Sequence, residues 1–332
     1  TMPNPYISGT GFYLPPRIVK NNELSNYMDT TDEWIQERTG IKERRYVEKG
    51  IGSSDLAIPA TEQALAAAGL QVSDIELIIF ATSTPDFYAP GAGCLLQEKM
   101  GFNEIGALDI RVQCSGFIYG MSIAEQYIKT GTFKNILLIG AEVQSTAMDL
   151  TDSGRDTAVI FGDGAGAVVI SATDDDRGIL STHMHSEGKY AKELWLESPA
   201  SNAGHPRISS KDLDEGKQYL KMNGKEVFRH AVTRFPEVIN EALEANNLSS
   251  ENIDLLIPHQ ANLRITQMVQ KKLGLSNDQV YSNIQKYGNT TAATIPIALA
   301  EVVNEGKISE GDIVVFAAFG SGFAWASAVV RW

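Results

Sequence analysis

Cysteine is scarce in this chain: Cys94 and Cys114 are the two among 332 residues. Two thiols do not make the cross-linked framework of a small secreted domain, and they fit a reducing compartment, so a cytoplasmic location is expected. Long apolar runs are also lacking. No stretch reaches the roughly 20 residues that cross a bilayer, and the opening residues do not read as a secretory signal. Basic charge is in deficit, with 28 Lys and Arg against 41 Asp and Glu and a formal net charge of −13. That balance argues against a nucleic-acid partner, and an acidic protein partner would need a local basic patch. The hydrophobic content of 43% is ordinary for a globular protein. The length is too great for one simple core and implies two domains or one large α/β unit.

What is present is an internal repeat. "ALAAAGLQVSDIELIIF" from Ala64 and "ALEANNLSSENIDLLIP" from Ala242 align without a gap at an offset of 178. Ala64/Ala242, Leu65/Leu243, Leu70/Leu248, Ile75/Ile253 and Leu77/Leu255 are identical pairs. Each copy reads as a helix end, a polar turn and a buried strand. The parallel continues. After Cys114 comes a helical pattern closed by Gly131, then the strand "NILLIGAE"; after Asn289 comes a helical pattern closed by Gly306, then the strand "DIVVFAAFGSG". The fold expected is α/β, made of two duplicated halves, 1–172 and 173–332, with the long insertions in the first. Cys114 and Asn289 then stand at corresponding helix starts.

Three residues carry candidate chemistry. Cys114 follows the strand-like "ALDIRVQ" and precedes a helix, whose N-terminal partial positive charge favours a thiolate. Free cysteines more often merely pack, and Cys94 in "GAGCLLQEKMG" fits that role. His259 ends the strand "IDLLIPHQ", and functional groups of α/β sheets gather at the carboxyl ends of strands. Asn289, alone, reads as a helix cap. The duplication brings the corresponding sheet ends together, so Cys114, His259 and Asn289 can converge. The turn "FGSGF" from Phe319 has the glycine content to aim backbone N–H groups at an oxyanion, or to make a tight bend.

Several other patterns carry less. "GDGAGAVVI", residues 162–170, is followed by a β-branched strand, whereas a phosphate loop needs a helix there. His183 and His185 alternate on one strand face with no clear third ligand, so no metal site is assigned. "TTDEWIQER" opens like a capping box from Thr30 to Glu33, and Trp34 and Arg38 share a helix face.

The stretches "TTDEWIQERTGIKERR", "QCSGFIYG", "FGDGAGAVVI", "PHQANLRI", "YGNTTAATIP" and "AFGSGFAWASAVVRW" together resemble β-ketoacyl-acyl carrier protein synthase III of the thiolase superfamily, from residue 30 to the C-terminus. The resemblance implies a layered α-β-α-β-α thiolase-like fold and decarboxylative condensation of an acyl-CoA primer with malonyl-acyl carrier protein, initiating fatty-acid synthesis. Cys114 would carry the acyl group. His259 and Asn289 would hold the malonyl thioester carbonyl, and the backbone N–H groups of Cys114 and Ser321 would form the oxyanion hole. CoA contacts fall on Trp34, Arg38, Arg155 and Asn262, carrier-protein docking on Arg229, Arg264, Lys271 and Lys272, and the acyl pocket on Ala89 and Phe319. No metal or redox cofactor is implied, and a homodimer is the family expectation. Ala89 stands where acetyl-preferring members often have a bulky Phe, so branched or medium primers are expected. The competing readings are a specialised enzyme of a secondary pathway, acting on two acyl-CoAs or transferring to oxygen or nitrogen, and a non-catalytic scaffold. The intact Cys-His-Asn set argues for decarboxylative condensation over simple transfer, and the presence of Cys114 argues against the scaffold.

Overall fold

The computed structural model describes residues 1–332. In chain order the elements are β1 (Asn4–Tyr13), α1 (Asp32–Thr39), α2 (Ser53–Ala68), β2 (Leu77–Ala81), α3 (Ala92–Met100), β3 (Gly106–Ile110), α4 (Gly116–Lys129), β4 (Asn135–Glu142), β5 (Gly164–Thr173), β6 (Gly178–Ser186), α5 (Gly224–Ala245), β7 (Leu255–Pro258), α6 (Leu263–Leu273), α7 (Thr294–Asn304), β8 (Ile313–Gly320) and β9 (Ala324–Arg331), besides short helices and two small hairpin sheets.

The repeat is visible in the topology. One sheet has the order β1-β5-β4-β2-β3 and the other β6-β9-β8-β7, the same order with the last strand missing. In both, the strands after the helical crossovers are parallel and the remainder antiparallel. Leu256 and Val280 form an isolated parallel bridge where the missing strand would lie. β2 and β7 begin at 77 and 255, α4 and α7 at 116 and 294, β4 and β8 at 135 and 313. Each pair keeps the offset of 178 read from the sequence.

The burial pattern explains why these strands are continuously apolar. Ile136 and Leu138 of β4 face a central core, while Leu137 and Ile139 face an outer one. In β8, Val314, Phe316 and Ala318 face the same central core, and Val315, Ala317 and Phe319 a second outer one. A strand covered on both faces has no polar alternation. The central core also contains Phe117, Ile118 and Met121 of α4 and Ile295, Ala298, Leu299 and Val302 of α7. These two helices are therefore sandwiched between the sheets, and every residue of α7 from Thr294 to Val302 is buried. Helices α2 and α5 cover the outer faces. The layers run α-β-α-β-α.

Three expectations change. The second half carries a long insertion too: residues 187–223 separate β6 from α5, just as 14–52 separate β1 from α2. The cap of α1 is Thr31, not Thr30. Its Oγ1 accepts from the Trp34 N–H at 3.1 Å, which puts Trp34 rather than an acid at the third helical position. Cys94 is exposed on α3 rather than packed, since Ala92, Gly93 and Leu96 form that helix's buried face.

The first insertion builds one wall of the site. Its anchor is Arg44, fully buried, which donates to Val19 O (3.1 Å), Val159 O (2.8 Å) and Asn21 Oδ1 (2.8 Å). Three acceptors offset the cost of burying a guanidinium, and the wall residues 159–161 are fixed to the hairpin around residues 18–45.

Candidate active site

A cavity of about 600 Å³ receives groups from both halves. Cys114, His259, Asn289, Phe319 and Gly320 line it together with Trp34, Arg38, Asn262 and Arg264. The first five are buried, with Cys114, His259 and Asn289 at 1–5% exposure, whereas Arg38 and Arg264 are exposed. The cavity thus runs from a cationic mouth to a buried inner end.

Cys114 lies in a single 3-10 turn, Gln113–Ser115, leading into α4. Gln113 has φ +48°, a left-handed conformation that is uncommon for such a residue. The turn sets Cys114 against the end of β8. A Cβ on Gly320 would lie 2.6 Å from Cys114 Sγ, so only glycine allows this approach. The backbone N–H groups of Ser321 and of Cys114 itself lie near Sγ and favour its anion. Two convergent amides at the nucleophile are the geometry an oxyanion hole needs. Ser321 is tied down by its hydroxyl, which donates to Leu194 O at 2.7 Å.

The expected thiolate is not the resting form. Burial pushes the Cys114 thiol up to about 12, the charge of Glu142 adds to this, and the two amides oppose it without prevailing. Desolvation outweighs the helix N-terminus because the thiol is almost wholly buried.

His259 follows β7 and is 1% exposed. Its Nδ1 lies 2.6 Å from Thr294 Oγ1, at the start of α7, and its Nε2 is buried with no protein partner. Burial pushes the imidazole down to about 3, so it is neutral. A hydroxyl at Nδ1 can donate or accept, which suits either neutral tautomer. Asn289 caps no helix. Its Oδ1 accepts from the Thr291 N–H at 2.8 Å, which leaves Nδ2 as the donor available to the cavity. It also stands three residues ahead of Ala292, the position that corresponds to Cys114 at the offset of 178.

At the mouth, the Arg38 and Arg155 guanidinium carbons lie 4.6 and 4.9 Å from the centre of the Trp34 ring. Arg155 does not line the cavity; it acts on it through Trp34 and donates to Asp29 O. Asn262 caps α6 and donates to Arg38 O at 3.1 Å, joining the two mouth motifs. Arg264 reaches the rim over Phe228, at 5.5 Å from its ring centre. Lys271 and Lys272 are exposed in the last turn of α6, with Lys272 donating to Val232 O of α5. Arg229 is exposed but paired with Glu226 at 2.8 Å, so its charge is partly spent within α5. Phe319 lines the cavity, packed 4.9 Å from Phe323. Ala89 does not line the cavity of its own chain: it lies on an exposed loop beside Phe87 and Tyr88.

Asp163 of the "GDG" stretch is buried and accepts from the Val47 and Ser145 N–H groups, and Gly164 opens β5. His183 and His185 both face Glu241. Sequence reasoning missed Thr294, Gly320 and the buried Glu142. Thr294 follows Asn289 closely enough to be suspected. Gly320 was part of a turn already singled out. Glu142 carried a signal that went unread, an acid closing the apolar strand β4.

Comparison with known proteins agrees across the chain. Two sequence profiles match, 3-oxoacyl-[acyl-carrier-protein] synthase III over residues 108–188 and the C-terminal part of the same description over 243–332. The chain is 47% identical over 326 residues to a β-ketoacyl-[acyl-carrier-protein] synthase III of Clostridioides difficile, covering 98% of each. The crystal structure of 3-oxoacyl-[acyl-carrier-protein] synthase III from Aquifex aeolicus VF5 superposes with a TM-score of 0.90 at 42% identity, covering 99% of this chain and 100% of that one. The priming β-ketosynthase of the R1128 polyketide pathway superposes with a TM-score of 0.91 at 29% identity, covering 99% and 96%.

Proposed function

Because the chain belongs to the 3-oxoacyl-acyl carrier protein synthase III family, we propose that its cavity runs a two-stage condensation on Cys114. The enzyme is an acyltransferase of fatty-acid synthesis. It joins an acyl-CoA primer to malonyl-acyl carrier protein and yields a 3-oxoacyl-acyl carrier protein, CoA and carbon dioxide.

In the first stage Cys114 Sγ bonds to the thioester carbon and the bond to the CoA sulfur breaks. The resting thiol is protonated, so its proton leaves as the new bond forms and ends on the departing CoA sulfur. The amides of Cys114 and Ser321 hold the carbonyl oxygen as it becomes an oxyanion. In the second stage the malonyl thioester carbonyl sits between His259 Nε2–H and Asn289 Nδ2. Loss of carbon dioxide moves an electron pair onto that carbonyl. The carbanion then bonds to the acyl carbon, the acyl–Sγ bond breaks, and Sγ takes up one proton from solvent. The observation that carries this reading is the unpaired His259 Nε2, buried in one cavity with Cys114 and Asn289. A neutral donor fixed in a buried site stabilises developing charge with little reorganisation.

Trp34, Arg38 and Arg155 receive the adenine end of CoA, which separates Trp34 from Arg38 as it enters, and Asn262 meets the pantetheine arm. Arg264, Lys271 and Lys272, with Arg229 at the edge, steer the acidic carrier protein. The working form is a cytoplasmic homodimer in which the first sheet continues across β3, paired on one side only and exposing Leu108. In that dimer the loop bearing Ala89 borders the partner's acyl tunnel, and its small side chain admits branched or medium primers.

Intact-mass measurement after mixing with acyl-CoA tests the first stage. One acyl adduct is expected, and none in Cys114→Ala; an adduct that persists in the variant sinks the assignment. Turnover of acetyl-, isobutyryl- and hexanoyl-CoA with malonyl-acyl carrier protein tests the primer, and strict acetyl preference rules out the wider tunnel.

A further inference from the structure

Asn289 works only if its amide presents nitrogen, not oxygen, to the cavity. Its orientation is set by one bond, from the Thr291 N–H to Oδ1 at 2.8 Å. Thr291 itself adopts φ +56°, a left-handed conformation disfavoured for a β-branched residue, so the turn that presents this N–H is strained. Strain of this kind persists only where the surroundings hold it. Thr291 is 3% exposed, and its hydroxyl accepts from Gln144 Nε2 at 2.8 Å. The second hydrogen of that amide faces Glu142 Oε2 at 3.3 Å. Glu142 is itself fixed by the Ser83 N–H, the Ser83 hydroxyl and the Thr84 hydroxyl, each at 2.8 Å. A buried chain of contacts thus crosses from the first half to the second: Ser83 and Thr84, Glu142, Gln144, Thr291, Asn289. None of its links before Asn289 lines the cavity.

We propose that Gln144 is a positioning residue for Asn289, holding the strained Thr291 backbone so that the Asn289 amide stays a donor to the cavity. The proposal rests on the reading that Asn289 serves decarboxylation of the malonyl thioester and not acylation of Cys114. A brace of this kind therefore affects one stage of the reaction and spares the other. General loosening of the core would slow both.

The experiment uses the full-length enzyme and two readouts: the rate of acyl-adduct formation on Cys114 from acyl-CoA, and the rate of carbon dioxide release from malonyl-acyl carrier protein by the acylated enzyme. Thr291→Val removes the hydroxyl and little volume. Carbon dioxide release is expected to fall about 10- to 100-fold, with adduct formation within about two-fold of the original, since displacing a fixed donor is felt at the step that uses it. Thr291→Ser, which keeps the hydroxyl, is expected to restore carbon dioxide release, and Gln144→Leu to repeat the Thr291→Val defect. Normal release in Thr291→Val, or an equal fall in both rates, overturns the brace. Asn289→Ala is run beside them. If it too releases carbon dioxide normally, the role given to Asn289 fails and the brace with it; if it is defective while Thr291→Val is normal, only the brace fails.

Discussion

The two halves enter their central helices in the same way and then diverge. Gln113 and Thr291, 178 residues apart, both take left-handed φ, at +48° and +56°. Each opens a 3-10 turn ahead of α4 or α7. The next residue is Cys114 in one half and Ala292 in the other. The strand ends differ as well: β8 finishes in Gly320, which makes room for Sγ, while β4 finishes at the corresponding position in Glu142. Duplication therefore supplied the backbone geometry twice. Substitution then gave one copy a thiol with space in front of it, and the other a small residue with a buried carboxyl that anchors side chains. The first end is left open to the cavity, and the second is tied down by hydrogen bonds.

Two alanine substitutions separate these ends, and they have the largest expected effects. Gly320→Ala puts a methyl 2.6 Å from Cys114 Sγ. Adduct formation from acyl-CoA should fall by roughly 10²–10³, because attack geometry is lost where even an ångström matters. At the other end, a Cβ on Gly140 would lie 2.2 Å from Ala292 O, a backbone atom that cannot swing aside. Gly140→Ala should therefore lower unfolding free energy by about 2–4 kcal/mol, read by urea titration, as overpacking of a rigid contact does. A Gly320→Ala enzyme that acylates normally, or a Gly140→Ala enzyme of unchanged stability, would break the contrast.

The legible part of this pattern was the repeat. Identical Ala, Leu and Ile pairs at a fixed offset reveal buried strands and helices, because both copies bury the same faces. The positions of Cys114 and His259 followed, since each ends a strand or opens a helix in a recognisable apolar context. The resting state of the thiol was not legible: a helix start favours thiolate, and only burial, which no local stretch displays, reverses it. The cap of α1 slipped by one residue because Thr30 and Thr31 are chemically alike. The links from Glu142 to Asn289 join residues 142, 144, 291 and 289, and such pairings exist only once the halves have docked. The second insertion was hidden because its polar composition resembles a set of ordinary loops.

The two ends should also respond oppositely to acid. His259 is held neutral down to about 3, against an ordinary value of 6.5. As pH falls from 6.5, the unfolded chain takes a proton there that the folded one refuses, so stability is lost. Glu142 behaves in the reverse sense. Burial raises it from 4.5 to about 7, against the pull of its hydrogen bonds to Ser83 and Thr84, so the folded chain is protonated there while the unfolded one is not. As pH falls from 7 to 4.5, stability is gained. Each slope is about 1.4 kcal/mol per pH unit. Between pH 4.5 and 6.5 the two contributions nearly cancel. His259→Gln should therefore gain stability on acidification relative to the original protein, and Glu142→Gln should lose it. Urea midpoints at pH 5, 6 and 7 give both slopes, and slopes of the same sign in the two variants would sink the opposition.

The smallest effect is expected outside the cavity, where the mouth carries cations on a protein of net charge −13. Lys271 is exposed on α6, away from the residues lining the cavity, and Arg264 stands at the rim. A charge at the edge of an encounter surface acts on the rate of approach and little on bound geometry. Lys271→Glu should therefore raise KM for malonyl-acyl carrier protein about three- to ten-fold at low salt, leave adduct formation from acyl-CoA unchanged, and lose its effect as ionic strength rises. Arg229, already paired with Glu226, should matter less on reversal than Lys271. If Arg229→Glu proves the more damaging, docking centres on α5, and the Glu226 pair opens when the carrier protein arrives.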